Sequence, residues 1–264
     1  RGRQRRQRGS EHDLGGDGPP VLLCHATGFH AHVWDPVADV LADRAKLVAP
    51  DLRGHGDSPV PPEAEMSWWS FAEDVLAVVD HLDLRDVRAA GHSKGGASLL
   101  LAELLRPGTF ASLYLFEPVV FPDVLPSGFE NPLAGAARRR RATFDSYEAA
   151  IANFASKPPM QVLAPEALDA YVRHGFRQLP DGSVTLKCLP EIEAKVYEMG
   201  PQHGAFARLG EIACPVTVAR GVDQAFTPSS FAPRIVDALP HGVLDEHPDL
   251  GPFGPLEAPP TIAE

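Results

Sequence analysis

The sequence predicts an α/β fold, with a mostly parallel central sheet flanked by helices and interrupted by a helical insertion. Three observations carry this expectation. Short apolar runs ending in glycine or polar turns alternate with longer runs of helical period, the alternation that builds parallel sheets covered on both faces. The rhythm stops over roughly residues 118–202, where several segments of helical period follow one another, and then resumes. At 264 residues and 44% hydrophobic content, the chain can bury a sizeable core without disulfide or metal staples.

Taken in order, "PVLLCHATG" reads as a buried strand followed by a loop, and in "VWDPVADVLA" Asp35 is placed to cap a helix whose first position is Pro36. "KLVAPDLRGHGDS" is a second strand with a polar loop. In "SFAEDVLAVVDHL", Ser70 and Glu73 have capping-box spacing, and Phe71, Val75, Val78, Val79 and Leu82 fall on one helical face. "VRAAGHSKGGASLLLAELLRPG" gives a strand, a tight glycine turn and a helix, and "ASLYLFEPVVFP" a further strand. Helices in the insertion are expected around Tyr147, Ile151 and Phe154, around Leu168 and Tyr171, and around Ile192, Val196 and Met199, with "LPDGSV" as a turn. The sheet pattern returns in "CPVTVARG" and "GVLDEHP", with a helix in "PSSFAPRIVDALP" between them. The expected organisation is a basic, disordered tail over 1–20, a core over 21–117 and 203–264, and a helical cap over 118–202.

Charge and cysteine usage narrow the function classes. The net charge is -11, so no nucleic-acid partner is expected, although residues 1–10 carry five arginines and no acid. Cys24, Cys188 and Cys214 lie outside any C-x-x-C, which argues against a disulfide framework or a cysteine zinc site and for a reducing, cytoplasmic setting. No apolar run approaches membrane-spanning length and no signal peptide is read, so no membrane partner is expected.

The chemistry centres on "GHSKGG", which places Gly91, Ser93 and Gly95 in a G-x-S-x-G pattern between a strand and a helix. A serine hydroxyl is a weak nucleophile unless held on a sharp turn, where small neighbours leave room for strained backbone and a helix N-terminus faces developing negative charge. With "HATGFHAHVWDP", "DLRGHGDS", "ARGVDQAFTP" and "FGPLEAP" in that order, the chain over 21–264 resembles the α/β-hydrolase superfamily. The resemblance implies Ser93 as nucleophile and Asp223 as the acid that orients a histidine. Glu117, at the end of the strand before the insertion, is the alternative acid. It also implies an oxyanion hole from the backbone N–H of Lys94 and one near Ala26 or Thr27.

The histidine itself is where the sequence departs from the family. Members resembled here place it just before "FGPLEAP", and Pro252 stands in that position, with no side-chain nitrogen to accept a proton. His247 would need a rearranged loop to substitute; His92 reads as packed, and His25 and His55 as structural hydrogen-bonding residues. The family's two N-terminal edge strands are not readable in residues 1–16, and its last helix is cut short at "TIAE", so incompleteness at both ends is expected.

Other tempting motifs take plainer readings. "HAH" with Asp35 has metal-ligand spacing but is incomplete, and capping accounts for Asp35, so no metal is expected and no cofactor. Arg138 to Arg141 read as a solvated face, and Trp68 and Trp69 as packing aromatics. The functional expectation is a serine hydrolase for a small ester, thioester, lactone or related acyl substrate, impaired by Pro252. The alternative is a catalytically silent ligand-binding member of the same fold. An epoxide or haloalkane hydrolase is disfavoured, because that chemistry in this fold uses an aspartate where Ser93 stands.

Overall fold

The computed structural model describes residues 6–8, 11–61, 63, 65–122, 130–200, 203–225 and 227–264. The core strands are β1 (Arg6–Arg8), β2 (Glu11–Gly15), β3 (Pro20–Cys24), β4 (Lys46–Pro50), β5 (Val87–His92) and β6 (Phe110–Phe116). After an insertion holding β7 (Thr143–Phe144), β8 (Phe176–Gln178) and β9 (Val184–Leu186), the core adds β10 (Val216–Arg220) and β11 (Gly242–Glu246). The eight core strands form one sheet in the order β1-β2-β4-β3-β5-β6-β10-β11. It is parallel from β4 to β11 and antiparallel where β1 meets β2 and β2 meets β4.

Helices α1 (Asp35–Leu41), α2 (Trp68–His81) and α3 (Lys94–Leu105) belong to the first half of the core. The insertion carries α4 (Pro132–Arg139), α5 (Tyr147–Ala155), α6 (Pro165–Gly175) and α7 (Pro190–Met199); α8 (Pro228–Ala238), α9 (Gly254–Glu257) and α10 (Pro259–Ala263) complete the chain. Successive strand residues face opposite layers. Leu22 and Val48 pack with α2, α3 and α8, whereas Leu23, Leu47 and Ala49 pack with α1, α10 and α6. The chain turns from β3 outward to β4 and then crosses back to β5, so the sheet reverses its winding between β3 and β5. Ligands of open α/β sheets bind beyond the strand ends at such a point, and Ser93 directly follows β5.

Three expectations need correction. The N-terminal edge strands are present: β2 pairs with β4, and β1 with β2, so 1–20 is not a disordered tail as a whole. Residues 1–5 and 9–10 of that span lie outside the described residues. "EHDLG" offers only Leu14 as an apolar strand residue, and its polar side chains are buried through partners instead. His12 Nε2 lies 2.9 Å from Asp51 and His81 Nε2 3.3 Å from Glu11.

The insertion is not wholly helical, because β7, β9 and β8 form a three-stranded antiparallel sheet in that order and "LPDGSV" belongs to the β8–β9 hairpin. Residues 123–129, 201 and 202 of the insertion lie outside the described residues. Helix α2 starts one turn before the expected cap, with Ser67 rather than Ser70 as N-cap in a reciprocal pair with Ser70. Among the described residues, no helix is long and apolar enough to cross a membrane.

Candidate functional site

The backbone at Ser93 has φ 53° and ψ −111°, a left-handed conformation costly for a side-chain-bearing residue. Close packing enforces it. The Ser93 N–H donates to the Phe116 carbonyl at 2.9 Å, and the Ser93 carbonyl accepts from Ala97 and Val119, each at 3.2 Å. The glycines leave the necessary room: a Cβ on Gly95 would stand 2.1 Å from the Cys24 carbonyl oxygen, and one on Gly91 2.6 Å from the Gly96 nitrogen. Ser93 is half-buried at the N-cap of α3, and its hydroxyl does not cap the helix. Among the described residues, no histidine nitrogen bonds that hydroxyl.

Ala26 and Thr27 are buried in the loop after β3, whose Cys24 and His25 carbonyls lie against Gly95 of α3. His25 fixes this loop, donating from Nδ1 to the Ala26 carbonyl at 2.8 Å while its Nε2 accepts from the Leu52 N–H at 3.0 Å. Lys94 opens α3, so its N–H has no intrahelical partner. Its side chain is fully buried, with Nζ 3.3 Å from His55 Nδ1 and 4.7 Å from the Phe71 ring centre. Burial lowers the ammonium to about 7 and drives His25 and His55 well below the ordinary imidazole range, with the Lys94 charge adding to both. His25 and His55 are therefore held neutral, and their hydrogen bonds run to backbone groups and to Lys94.

The two carboxyl candidates differ sharply. Glu117 is buried at the end of β6 with φ 44°; its N–H donates to Ala219 and its Oε1 accepts from the Gly221 N–H at 3.1 Å. Burial raises its carboxyl to about 7, with the nearby Glu257 charge adding to the effect. Asp223 is exposed on the loop after β10, 3.6 Å from Arg220. The structure thus puts Glu117 beneath the loop that carries Asp223.

The loop carrying Pro252 is tied to this group through two hydrogen bonds. His92 donates from Nε2 to the Pro252 carbonyl at 2.8 Å, and the Val222 N–H donates to Leu250 at 2.7 Å. The elbow, the Asp223 loop and the Pro252 loop are therefore stitched together, while the Pro252 ring itself is exposed. Glu257, overlooked in the sequence, holds that loop, accepting from Gly251 at 2.8 Å and Phe253 at 3.0 Å. Burial lowers His92 to about 4, so its ring is a neutral donor to a carbonyl. His247 is engaged elsewhere: its Nε2 lies 3.0 Å from Asp245 and 3.2 Å from the Tyr114 hydroxyl.

The insertion reaches over these loops through α7. A Cβ on Gly28 would meet Glu193 at 2.6 Å, and one on Gly54 would meet Ile192 at 2.6 Å. Arg140 ties this layer together by donating to Glu193 and to the Tyr171 hydroxyl, so it departs from the solvated face expected of Arg138 to Arg141.

A family profile for the alpha/beta hydrolase fold matches residues 19–178. Among curated proteins, the chain is 29% identical over 247 residues to the magnesium-chelatase 30 kDa subunit of Rhodobacter capsulatus, covering 86% of this chain and 78% of that protein. It is 26% identical over 260 residues to the non-heme chloroperoxidase of Streptomyces lividans, covering 89% of each. A shorter match to an uncharacterized Mycobacterium bovis protein spans 24% of that protein's length. Among solved structures, E-2-(acetamidomethylene)succinate hydrolase superposes with a TM-score of 0.79 at 19% identity, over 96% of this chain and 91% of that one.

Proposed function

From the premise that this chain belongs to the α/β-hydrolase family, we propose that it is a serine hydrolase scaffold for a small acyl substrate, built on Ser93 and held nearly silent by Pro252. The observation that carries this reading is the strained, uncapped serine at φ 53°, following the central strand at the sheet's winding reversal. Attack by its hydroxyl on an ester, thioester or lactone carbonyl would form a tetrahedral oxyanion. The N–H of Lys94 and one from Ala26 or Thr27 are the donors assigned to that charge, aided by the N-terminus of α3. Asp223 is assigned as the orienting acid and Glu117 as its alternative.

The missing component is the base. A proline at 252 cannot take the serine proton, and loss of the histidine of such a triad removes most of the rate while oxyanion stabilisation and binding leave a remnant. The carbonyl of Pro252 is tied to His92 and the flanking N–H groups to Glu257, so the loop is rigidly placed even though its side chain is inert.

That combination also favours a second reading, a ligand-binding member that keeps the scaffold without turnover. The relative named as a magnesium-chelatase subunit, rather than for a hydrolysis, supports keeping it.

The test is labelling by a fluorophosphonate serine probe of the parent chain, Pro252→His and Ser93→Ala. We expect Pro252→His to label at least about 1000-fold faster than the parent and Ser93→Ala not to label. Equal rates for parent and Pro252→His would show that another base serves Ser93. A folded Pro252→His that does not label would leave the ligand-binding reading.

A further inference from the structure

His32, Asp35 and His174 come together outside the group around Ser93. His32 lies in the 3₁₀ turn Ala31–Trp34, and Asp35 opens α1 without capping it. The carboxylate turns back instead to His32 Nδ1, at 3.1 and 3.2 Å. His174, next to last in α6, stacks on His32 with ring centres 3.9 Å apart and planes at 21°. The capping account of Asp35 therefore fails, and the third member of the incomplete "HAH" pattern arrives from the insertion.

We propose that His32, Asp35 and His174 bind one divalent transition ion of the Zn²⁺ type, which pins the insertion's α6 to the core. One ligating atom from each residue lies within 4.8 Å of the others. Zinc's bonds to histidine and carboxylate are about 2.0–2.2 Å, so the proposal requires the two rings and the carboxylate to close on the ion as it binds. Two imidazoles and a carboxylate suit zinc and its transition-metal neighbours; magnesium and calcium take all-oxygen sets. Three protein ligands leave a fourth tetrahedral position for water, and the set opens on a cavity of about 590 Å³ that provides an entry path.

The surroundings favour a cation. Asp13, Asp39, Glu166 and Asp169 also line the cavity. Of the cavity's carboxylates, Asp57 is paired with Lys187 at 2.6 Å and Asp169 with Arg173 at 2.9 Å. Fully buried His30, whose Nδ1 has no partner among the described residues, lies 6.4 Å from His32 and 6.5 Å from His174 between ring centres. The neighbouring group of His12, Asp51 and Asp57 is already accounted for. Asp51 accepts from His12 and from the Ala31 and Asp57 N–H groups, and Asp57 carries Lys187.

Tag-free chain stripped of metal would be titrated with Co²⁺ and then Zn²⁺. We expect one equivalent of Co²⁺ to give a visible ligand-field absorption that Zn²⁺ bleaches. Zn²⁺ at about a hundred times its Kd should raise the unfolding midpoint by about 5–10 °C. His32→Gln and His174→Gln should weaken binding by more than the 10–100-fold typical of an outer partner of a metal ligand, while the exposed His241→Gln should bind like the parent. Should His32→Gln fail to fold, the exposed His174 decides alone. Undiminished binding by His174→Gln, or no stoichiometric uptake by the parent at micromolar metal, overturns the site.

Discussion

Replacing Glu117 by Gln tests whether the end of β6 stores the penalty its surroundings imply. Glutamine keeps a carbonyl oxygen for the Gly221 N–H and loses only the ability to ionise. The folded-state carboxyl sits at about 7 against an ordinary 4.5, raised first by burial and then by the Glu257 charge. The folded state therefore holds a proton that the unfolded chain releases. That proton stabilises the fold fully below pH 4.5, and the stabilisation fades as pH rises to about 7. At about 1.4 kcal/mol per pH unit, the loss amounts to about 3 kcal/mol. Urea unfolding of parent and Glu117→Gln at pH 5 and pH 8 would isolate it, because other titrating groups contribute equally to both. The variant should gain stability relative to the parent by about 2–3 kcal/mol between the two pH values. An unchanged difference would refute the buried, raised carboxyl. It would also leave Glu117 as effective a candidate for orienting an imidazolium as an ordinary carboxylate.

Two further perturbations probe the elbow from either side. Gly95→Ala sets a methyl 2.1 Å from the Cys24 carbonyl, so α3 and the end of β3 must separate; we expect a loss of at least about 1–3 kcal/mol in urea unfolding, whereas parent-like stability would show that the elbow yields. Lys94→Met removes a buried ammonium held at about 7 against an ordinary 10.5. A lowered lysine costs the fold most below pH 7, and the cost disappears as pH rises toward 10.5, so the variant should gain most over the parent at pH 6 and least at pH 10. A pH-independent difference in the unfolding midpoint would remove the buried charge from the account.

The elements legible in the sequence are those in which one chemical signal is repeated locally. Alternating apolar runs marked β3 to β6 and β10, and two glycines around a serine marked the elbow, because the turn needs those residue types within five positions. The strand β2 was illegible for the opposite reason: Glu11 and His12 are buried by partners tens of residues away, His81 and Asp51, and composition alone predicts exposure. The hairpin of β8 and β9 was hidden because runs of three residues carry too little periodicity to separate from helix.

The same division holds at the candidate sites. Pro252 could be read as a missing histidine from "FGPLEAP", but nothing in that string reveals that Glu257 anchors the N–H groups on either side of it. The Pro252 loop is tied to the strand before Ser93 through His92, and under the proposed reading a histidine at 252 supplies the missing base, so that single change is the one that tests a silenced hydrolase against a binding protein. His174 carries the point furthest. In α6 it is one polar residue on an amphipathic helix, and only the packing of that helix against the 3₁₀ turn at His32 brings together the three residues on which the metal proposal rests. That proposed site lies across the boundary between core and insertion, where sequence order gives no measure of distance.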